Sequence, residues 1–216
     1  MPTVLVTAGP TREHLDDVRF VSNASSGRMG YAIAAAARAA GCEVVLVTGP
    51  SPLTPPSGVE VVEVVSAVEM LTQCRAAFPR CDLFFAVAAV ADHRPAARAS
   101  GKPAKTEGSW SIELVPNPDI VATLAAEKGN RFVVGFSLDS AAASPDEQLA
   151  RARAKLARKH LDLIVVNDAR ALGAATSEAR IVDARGTVLE VPSGSKAALG
   201  EWLVREALQR WRAQTA

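Results

Sequence analysis

The strongest constraint on how this chain can fold is a rhythm of short, valine-rich apolar runs separated by stretches with helical spacing. Thr3 to Thr7, Glu43 to Thr48, Val59 to Val65, Leu83 to Ala89, Arg131 to Phe136 and Leu161 to Val166 read as strands. They are apolar at most positions, which a strand needs only when both faces of its sheet are covered. Between them, Arg28 to Ala40 is alanine-rich and stops at Gly41, and Ser66 is placed to cap Ala67 to Ala77. Asn117-Pro118-Asp119 opens a helix with proline in its first turn, and Pro145-Asp-Glu starts another that runs to about His160. The alternation predicts an α/β fold: a Rossmann-like, three-layer (αβα), mainly parallel sheet. From Ala179 the rhythm changes. Arg180 to Asp183 and Thr187 to Val191 predict a C-terminal β-hairpin, and Ser195 to Arg212 a last helix. No repeat or linker divides the 216 residues, so a single domain over 1–216 is expected.

Composition removes several classes of function. Lys+Arg is 24 against Asp+Glu 23, a net charge of +1, so no footprint for nucleic acid or an anionic membrane is expected. Three cysteines make no disulfide framework and favour a reducing, cytoplasmic setting. No basic leader precedes the first strand, and no apolar run reaches the roughly 20 residues of a membrane helix.

A glycine-bearing turn after the first strand invites a dinucleotide-binding reading, but the spacing opposes it. Gly9 is followed next by Gly27 and Gly30, too far along for a G-x-G-x-x-G turn, and the second strand ends without a ribose-binding acid. Tyr31 has Ala35, not lysine, four residues on. Phosphate-loop, zinc-ligand and serine-hydrolase motifs are also missing from the sequence. What stands out instead are loops at the C-terminal ends of strands. Ser25, Ser26, Gly27 and Arg28 precede or open a helix, where serine capping is the plain expectation and an anion site the functional one. Asp92 closes the fourth strand's loop, ahead of Lys102 and Lys105 in a polar stretch from Ala91 to Ser109. An acid beside lysines can hold Mg²⁺ against a polyphosphate, although a lone aspartate there is more often a turn residue. Lys155 and Lys159 share one helical face, which by itself is a solvated face.

Taken together, the blocks T-A-G-P-T-R-E (Thr7–Glu13), V-R-F-V-S-N-A-S-S-G-R-M-G (Val18–Gly30), A-A-V-A-D (Ala88–Asp92), N-P-D-I-V (Asn117–Val121), V-V-G-F (Val133–Phe136) and K-H-L-D-L-I-V-V-N-D (Lys159–Asp168) closely resemble the phosphopantothenoylcysteine synthetase (phosphopantothenate–cysteine ligase) family. The resemblance implies a ligase of coenzyme A biosynthesis that joins 4′-phosphopantothenate to L-cysteine with CTP and Mg²⁺. An acyl-cytidylate forms first, and CMP and pyrophosphate are released. ATP as the nucleotide, or a non-catalytic nucleotide-binding subunit, are the alternatives. Carried over residue by residue, the resemblance gives Asn23, Arg19 and Lys102 catalytic roles. It gives Ala86, Val87, Ala88, Asp92, Lys102, Lys105, Pro118, Asp119, Ile120, Val121, Phe136, Lys155 and Lys159 to the nucleotide, with Asp92 also facing Mg²⁺. Arg19, Lys102, Lys105, Lys155 and Lys159 are thereby expected to converge on one triphosphate.

The sequence departs from the family pattern in places. Gly101-Lys-Pro-Ala-Lys105 stands where the family reads K-I-K-K, so Lys102 and Lys105 compete for one role. Gly135-Phe-Ser-Leu-Asp139 replaces G-F-A-x-E. The sequence opens at the ligase's first strand, which carries the expectation of no FMN, no decarboxylation and a separate decarboxylase in the pathway. A homodimer is expected by analogy.

Overall fold

The computed structural model describes residues 1–102, 107–139, 143–168 and 176–215. In chain order the elements are β1 (Thr3–Ala8), β2 (Arg12–His14), β3 (Phe20–Ser22), α1 (Arg28–Ala39), β4 (Glu43–Thr48), β5 (Glu60–Glu63), α2 (Ala67–Ala77), β6 (Leu83–Ala86), β7 (His93–Pro95), β8 (Leu114–Pro116), α3 (Ile120–Ala125), β9 (Phe132–Asp139), α4 (Pro145–Arg158), β10 (Leu163–Asp168), β11 (Thr176–Asp183), β12 (Val188–Ser195) and α5 (Lys196–Thr215). An 8-stranded sheet runs in the order β12-β11-β10-β9-β6-β1-β4-β5. From β10 to β5 every pairing is parallel. The expected hairpin joins the same sheet as its antiparallel edge, longer than its apolar residues alone indicated.

Alternation along β1 shows why these strands are apolar throughout. Val4, Val6 and Ala8 point to the face covered by α1 and α5, while Leu5 points to the face covered by α2, α3 and α4. All four are fully shielded from water; burying one valine or leucine side chain stabilises the fold by about 1.5–3 kcal/mol. Helix α1 lies unusually close to the sheet. A Cβ on Gly30 would stand 2.5 Å from the Cβ of Ala8, so only glycine permits this approach.

Local expectations change in several places. The loop after β1 contains two strands that no apolar run marks: β2 and β3 pair as an antiparallel ribbon. The stretch after β6 likewise opens with a ribbon, β7 paired with β8. The fourth strand ends at Ala86 rather than Ala89. Pro118 precedes the helix instead of sitting in its first turn, because Asp119 is the cap and α3 begins at Ile120. Ser66 caps α2 as expected, and Ser144 caps α4 through a reciprocal bond with Glu147.

Crossover direction places the crevice. From β1 the chain passes through α1 to β4 on one side, whereas β6 pairs with β1 on the other. The strand order reverses there, and open α/β sheets bind ligands outside the C-terminal ends of strands at such a point.

Candidate functional site

The site is built around the turn at residues 87–90, which leaves β6 where its ladder stops. Thr7, near the end of β1, accepts the N–H groups of Val87 (3.1 Å) and Ala88 (3.3 Å) on its Oγ1. Thr11 Oγ1 accepts from Ala91 N at 3.0 Å, and Ala89 N donates to Gly9 O at 2.9 Å. A side-chain hydroxyl thus replaces the next rungs of the sheet, which is why the apolar run continues past the strand. Asn23 is tied to the same turn: its Nδ2 donates to Ala89 O at 3.1 Å and Val90 O at 3.0 Å.

Two compartments flank this turn, one over each face of the sheet. The larger, about 360 Å³, lies on the α3–α4 side and is lined by Thr7, Ala86, Asp92, the segment Asn117–Val121, Lys155 and Lys159. The smaller, about 200 Å³, lies on the α1–α5 side and is lined by Ser25 to Gly30, Val87, Ala89, Ser137, Leu138, Asn167 and Lys196. Ala88 and Phe136 line both.

Charge differs between them. In the larger compartment Lys159 pairs with Asp119 (2.7 Å), and Lys155 Nζ donates to Ser137 Oγ (2.9 Å). Asp119 also accepts from Ala122 N at 3.1 Å as the helix cap. Asn117 fastens the rim, its Nδ2 donating to Ala91 O at 2.8 Å and its backbone N–H to Asp92 O at 2.8 Å. Acids and lysines balance here. Asp92 is exposed and offers carboxylate oxygens, the donor type Mg²⁺ takes when a substrate's phosphates complete its shell. Among the described residues no group of three His, Cys, Asp or Glu could cage a metal by itself, so a nucleotide-borne Mg²⁺ on Asp92 fits this donor set.

Among the described residues, the charged groups that line the smaller compartment are Arg28 and Lys196. Neither Ser25 nor Ser26 caps α1. The N-cap is Gly27, at φ 79, with no side-chain capping bond. A Cβ there would also stand 3.2 Å from Gly9 Cα, so the conformation and the close contact both call for glycine. Ser25 Oγ instead accepts from Gly27 N at 3.3 Å. The first-turn N–H groups of α1, which have no intrahelical partner, are left for solvent or a ligand. Arg28 opens α1 and Lys196 opens α5, and neither helix has an acid in its first turn. Burial, reinforced by the charge of Arg28, draws the Lys196 ammonium below its usual pKa. Asn167 Oδ1 is the one described side-chain polar atom that is buried without a hydrogen-bond partner.

The expected convergence of five cations is not what one chain displays. Arg19 belongs to the β2–β3 ribbon, where Asp16 takes its Nε and Nη2, each at 2.6 Å, and the Trp110 ring lies 4.3 Å from the guanidinium carbon. Burial alone would raise the Asp16 carboxyl, but bonds from the Arg19 and Val18 amides and from the guanidinium outweigh it and hold the pKa at about 2. Lys102 is exposed, next to Gly101, whose N–H donates to Asp17 on the same ribbon at 3.0 Å. Arg19 and Lys102 line neither compartment of their own chain. Lys105 lies outside the described residues. Lys155, Lys159, Asp92, Ala86, Pro118, Asp119, Ile120, Val121 and Phe136 do come together, as do Ser25, Ser26, Gly27, Arg28 and Val87.

Sequence reasoning missed Asn167 and Lys196. Both carried a signal: a polar pair, Asn167-Asp168, ends an apolar strand, and a lysine in a helix's first turn opposes the macrodipole.

Comparison with known proteins bears on this geometry. The family model described as DNA/pantothenate metabolism flavoprotein C-terminal domain matches residues 2–210. The coenzyme A biosynthesis bifunctional protein CoaBC of Vibrio parahaemolyticus is 47% identical over 169 residues, covering 77% of this chain and 41% of that protein. A cysteine/cysteine sulfinic acid decarboxylase from an unidentified prokaryote is 39% identical over 211 residues, covering 95% of this chain and 57% of that protein. The chain therefore spans about half the length, or less, of these relatives. The crystal structure of the C-terminal domain of CoaBC superposes with a TM-score of 0.84 at 33% identity, covering 98% of this chain and 96% of that one.

Proposed function

The chain belongs to the DNA/pantothenate metabolism flavoprotein C-terminal domain family, and on that premise we propose that it joins 4′-phosphopantothenate to L-cysteine at the expense of CTP. The observation that carries this reading is the turn at residues 87–90, pinned by Thr7 and Asn23 between two compartments of different charge. A ligase that activates one substrate and then joins it to another needs such a junction.

In this reading the nucleotide occupies the larger compartment, with its α-phosphate near Ala88 and Phe136. A carboxylate oxygen of phosphopantothenate attacks that phosphorus, the bond to the β-phosphate oxygen breaks, and pyrophosphate departs. The cysteine nitrogen then bonds to the acyl carbon, the carbon–oxygen bond to CMP breaks, and the surplus amine proton passes to solvent. Asn23 holds the turn between the two compartments, its Nδ2 hydrogens donated to Ala89 O and Val90 O, and so positions the backbone against which the acyl centre reacts. Lys155 and Lys159, oriented by Ser137 and Asp119, contact the nucleotide. Mg²⁺ on Asp92 would supply charge neutralisation at the phosphates. Arg19 and Lys102 serve the substrate from the ribbons, where a homodimer contact is proposed. A separate decarboxylase is the proposed consumer of the product, and no FMN role is assigned to this domain. Cys42, Cys74 and Cys81 are free and buried, which suits a reducing cytoplasm; among the described residues no helix is long and apolar enough to cross a membrane.

A pyrophosphate-release assay with phosphopantothenate, L-cysteine and Mg²⁺, run with CTP and with ATP, tests the reading. Release with CTP, and CMP as the second product, is expected. Release with ATP alone would change the nucleotide, and none with either would overturn the ligase. Asn23→Ala is expected to keep the first pyrophosphate release while slowing final product by about 10²-fold. Equal loss of both steps would make Asn23 a binding or folding residue.

A further inference from the structure

One wall of the larger compartment is made by two segments far apart in sequence. Val90 to Asp92 leave the turn after β6, and Asn117 to Val121 lead into α3. The ribbon of β7 and β8, separate from the main sheet, joins them in the register His93↔Pro116, Arg94↔Val115 and Pro95↔Leu114. Strands this short hold each other weakly, and Pro95 and Pro116 have no N–H to give the ladder. Most of the ribbon's side chains are exposed or half-buried, so apolar burial adds little. Two polar side chains make up the difference. Arg94 Nη1 donates to Pro116 O at 2.6 Å and to Asn117 Oδ1 at 3.2 Å. Asn117 passes the link across, Nδ2 to Ala91 O and backbone N–H to Asp92 O, each at 2.8 Å. An amide suits this position, because its oxygen accepts from the cation while its nitrogen donates to a carbonyl. Pro118 further restricts Asn117 to extended backbone.

We propose that Arg94 and Asn117 are positioning residues for the nucleotide. Arg94 lines neither compartment and acts through Asn117 and the Pro116 carbonyl. Together they fix the spacing between Asp92 on one segment and Asp119, the partner of Lys159, on the other. A misplacement of about 1 Å between such groups is enough to weaken a site that works by positioning. These roles rest on the ligase reading, in which the nucleotide fills the larger compartment. They predict an effect confined to the nucleotide, because neither segment lines the smaller compartment across the sheet.

Arg94→Met is the deciding variant, checked for a native melting profile and an unchanged sedimentation coefficient. Losing its charge-assisted bonds is expected to raise the KM and the calorimetric Kd for CTP about tenfold. The KM for L-cysteine is expected to stay within about twofold. Arg94→Lys, which keeps a cationic donor, should recover part of the loss. Arg94→Met combined with Asn117→Ala should weaken CTP about threefold or more below the product of the single effects, because the two side chains form one link. An unchanged Kd for CTP, equal weakening of every substrate, or fully multiplicative effects would each overturn the proposal. Should Arg94→Met not fold or change its assembly, Asn117→Ala carries the same test with the same CTP-against-cysteine comparison. If the wild type releases no pyrophosphate with CTP or ATP, the ligase reading has failed, and calorimetry with the two nucleotides decides alone. Binding that Arg94→Met weakens about tenfold would then sustain the positioning role. Wild-type protein that binds neither nucleotide, or a variant that binds as well, would overturn it.

Discussion

At the scale of single residues, Asp16 shows how a buried charge organises a surface. Its carboxylate is fully shielded and accepts the N–H groups of Val18 (2.8 Å) and Arg19 (2.7 Å) as well as the Arg19 guanidinium. Native hydrogen bonds hold its pKa at about 2 against an ordinary 3.8. The unfolded chain therefore binds this proton more readily, so the stabilisation is complete above about pH 4 and is lost as pH falls toward 2. Asp16→Asn should flatten that acid limb in thermal melts recorded across the window. An unchanged limb would show that other carboxylates set it. The sequence offered Asp16 only as a residue ahead of Arg19; the contact that matters, the placement of that arginine over Trp110, joins positions far apart in the chain.

At the scale of elements, the entry of α1 into the site depends on glycine. Gly27 supplies the left-handed turn and Gly30 the close approach to Ala8. Gly30→Val would force a branched side chain against the rigid Cβ and backbone of Ala8 and should cost about 3 kcal/mol of overpacking. A fall in Tm together with weakened pyrophosphate release would check it; a normal Tm would mean that the helix can move away at no cost. Helix starts set by local chemistry were legible: Ser66 lies directly ahead of α2, and a proline-acid run opens α4. The start of α1 was not. Ser25 and Ser26 have the composition of caps, but the chain turns at Gly27 because the loop must pass against Gly9, a contact no local rule contains. The two short ribbons escaped for a similar reason. Their three-residue strands are stabilised by pairing and by packing on each other, not by their own patterns.

At the scale of the whole molecule, those ribbons gather exposed apolar side chains: Val18, Phe20 and Val21 on one, and Trp110, Ile112 and Leu114 leading into or within the other. An exposed cluster of this kind marks an interaction surface, and the proposed homodimer would cover it. Val21→Glu with Ile112→Glu should convert a dimer to a monomer in sedimentation velocity and lower ligase activity. A dimer unaffected by both charges would move the contact elsewhere. The sequence by itself determined the layered α/β architecture, because burial on both faces of a parallel sheet imposes apolar runs that nothing else requires. It also marked most of the residues at the strand ends, since loops that bind ligands keep polar and glycine residues a plain connection does not need. Only the tertiary structure decided how those residues divide. Side chains alternate along the chain as it leaves β6, so neighbours such as Ala86 and Val87 serve opposite faces, and one set of site residues became two compartments. Lys196 reached the smaller one from the far end of the chain, by packing of α5 against α1, a proximity that exists only once both helices lie on the same face of the sheet.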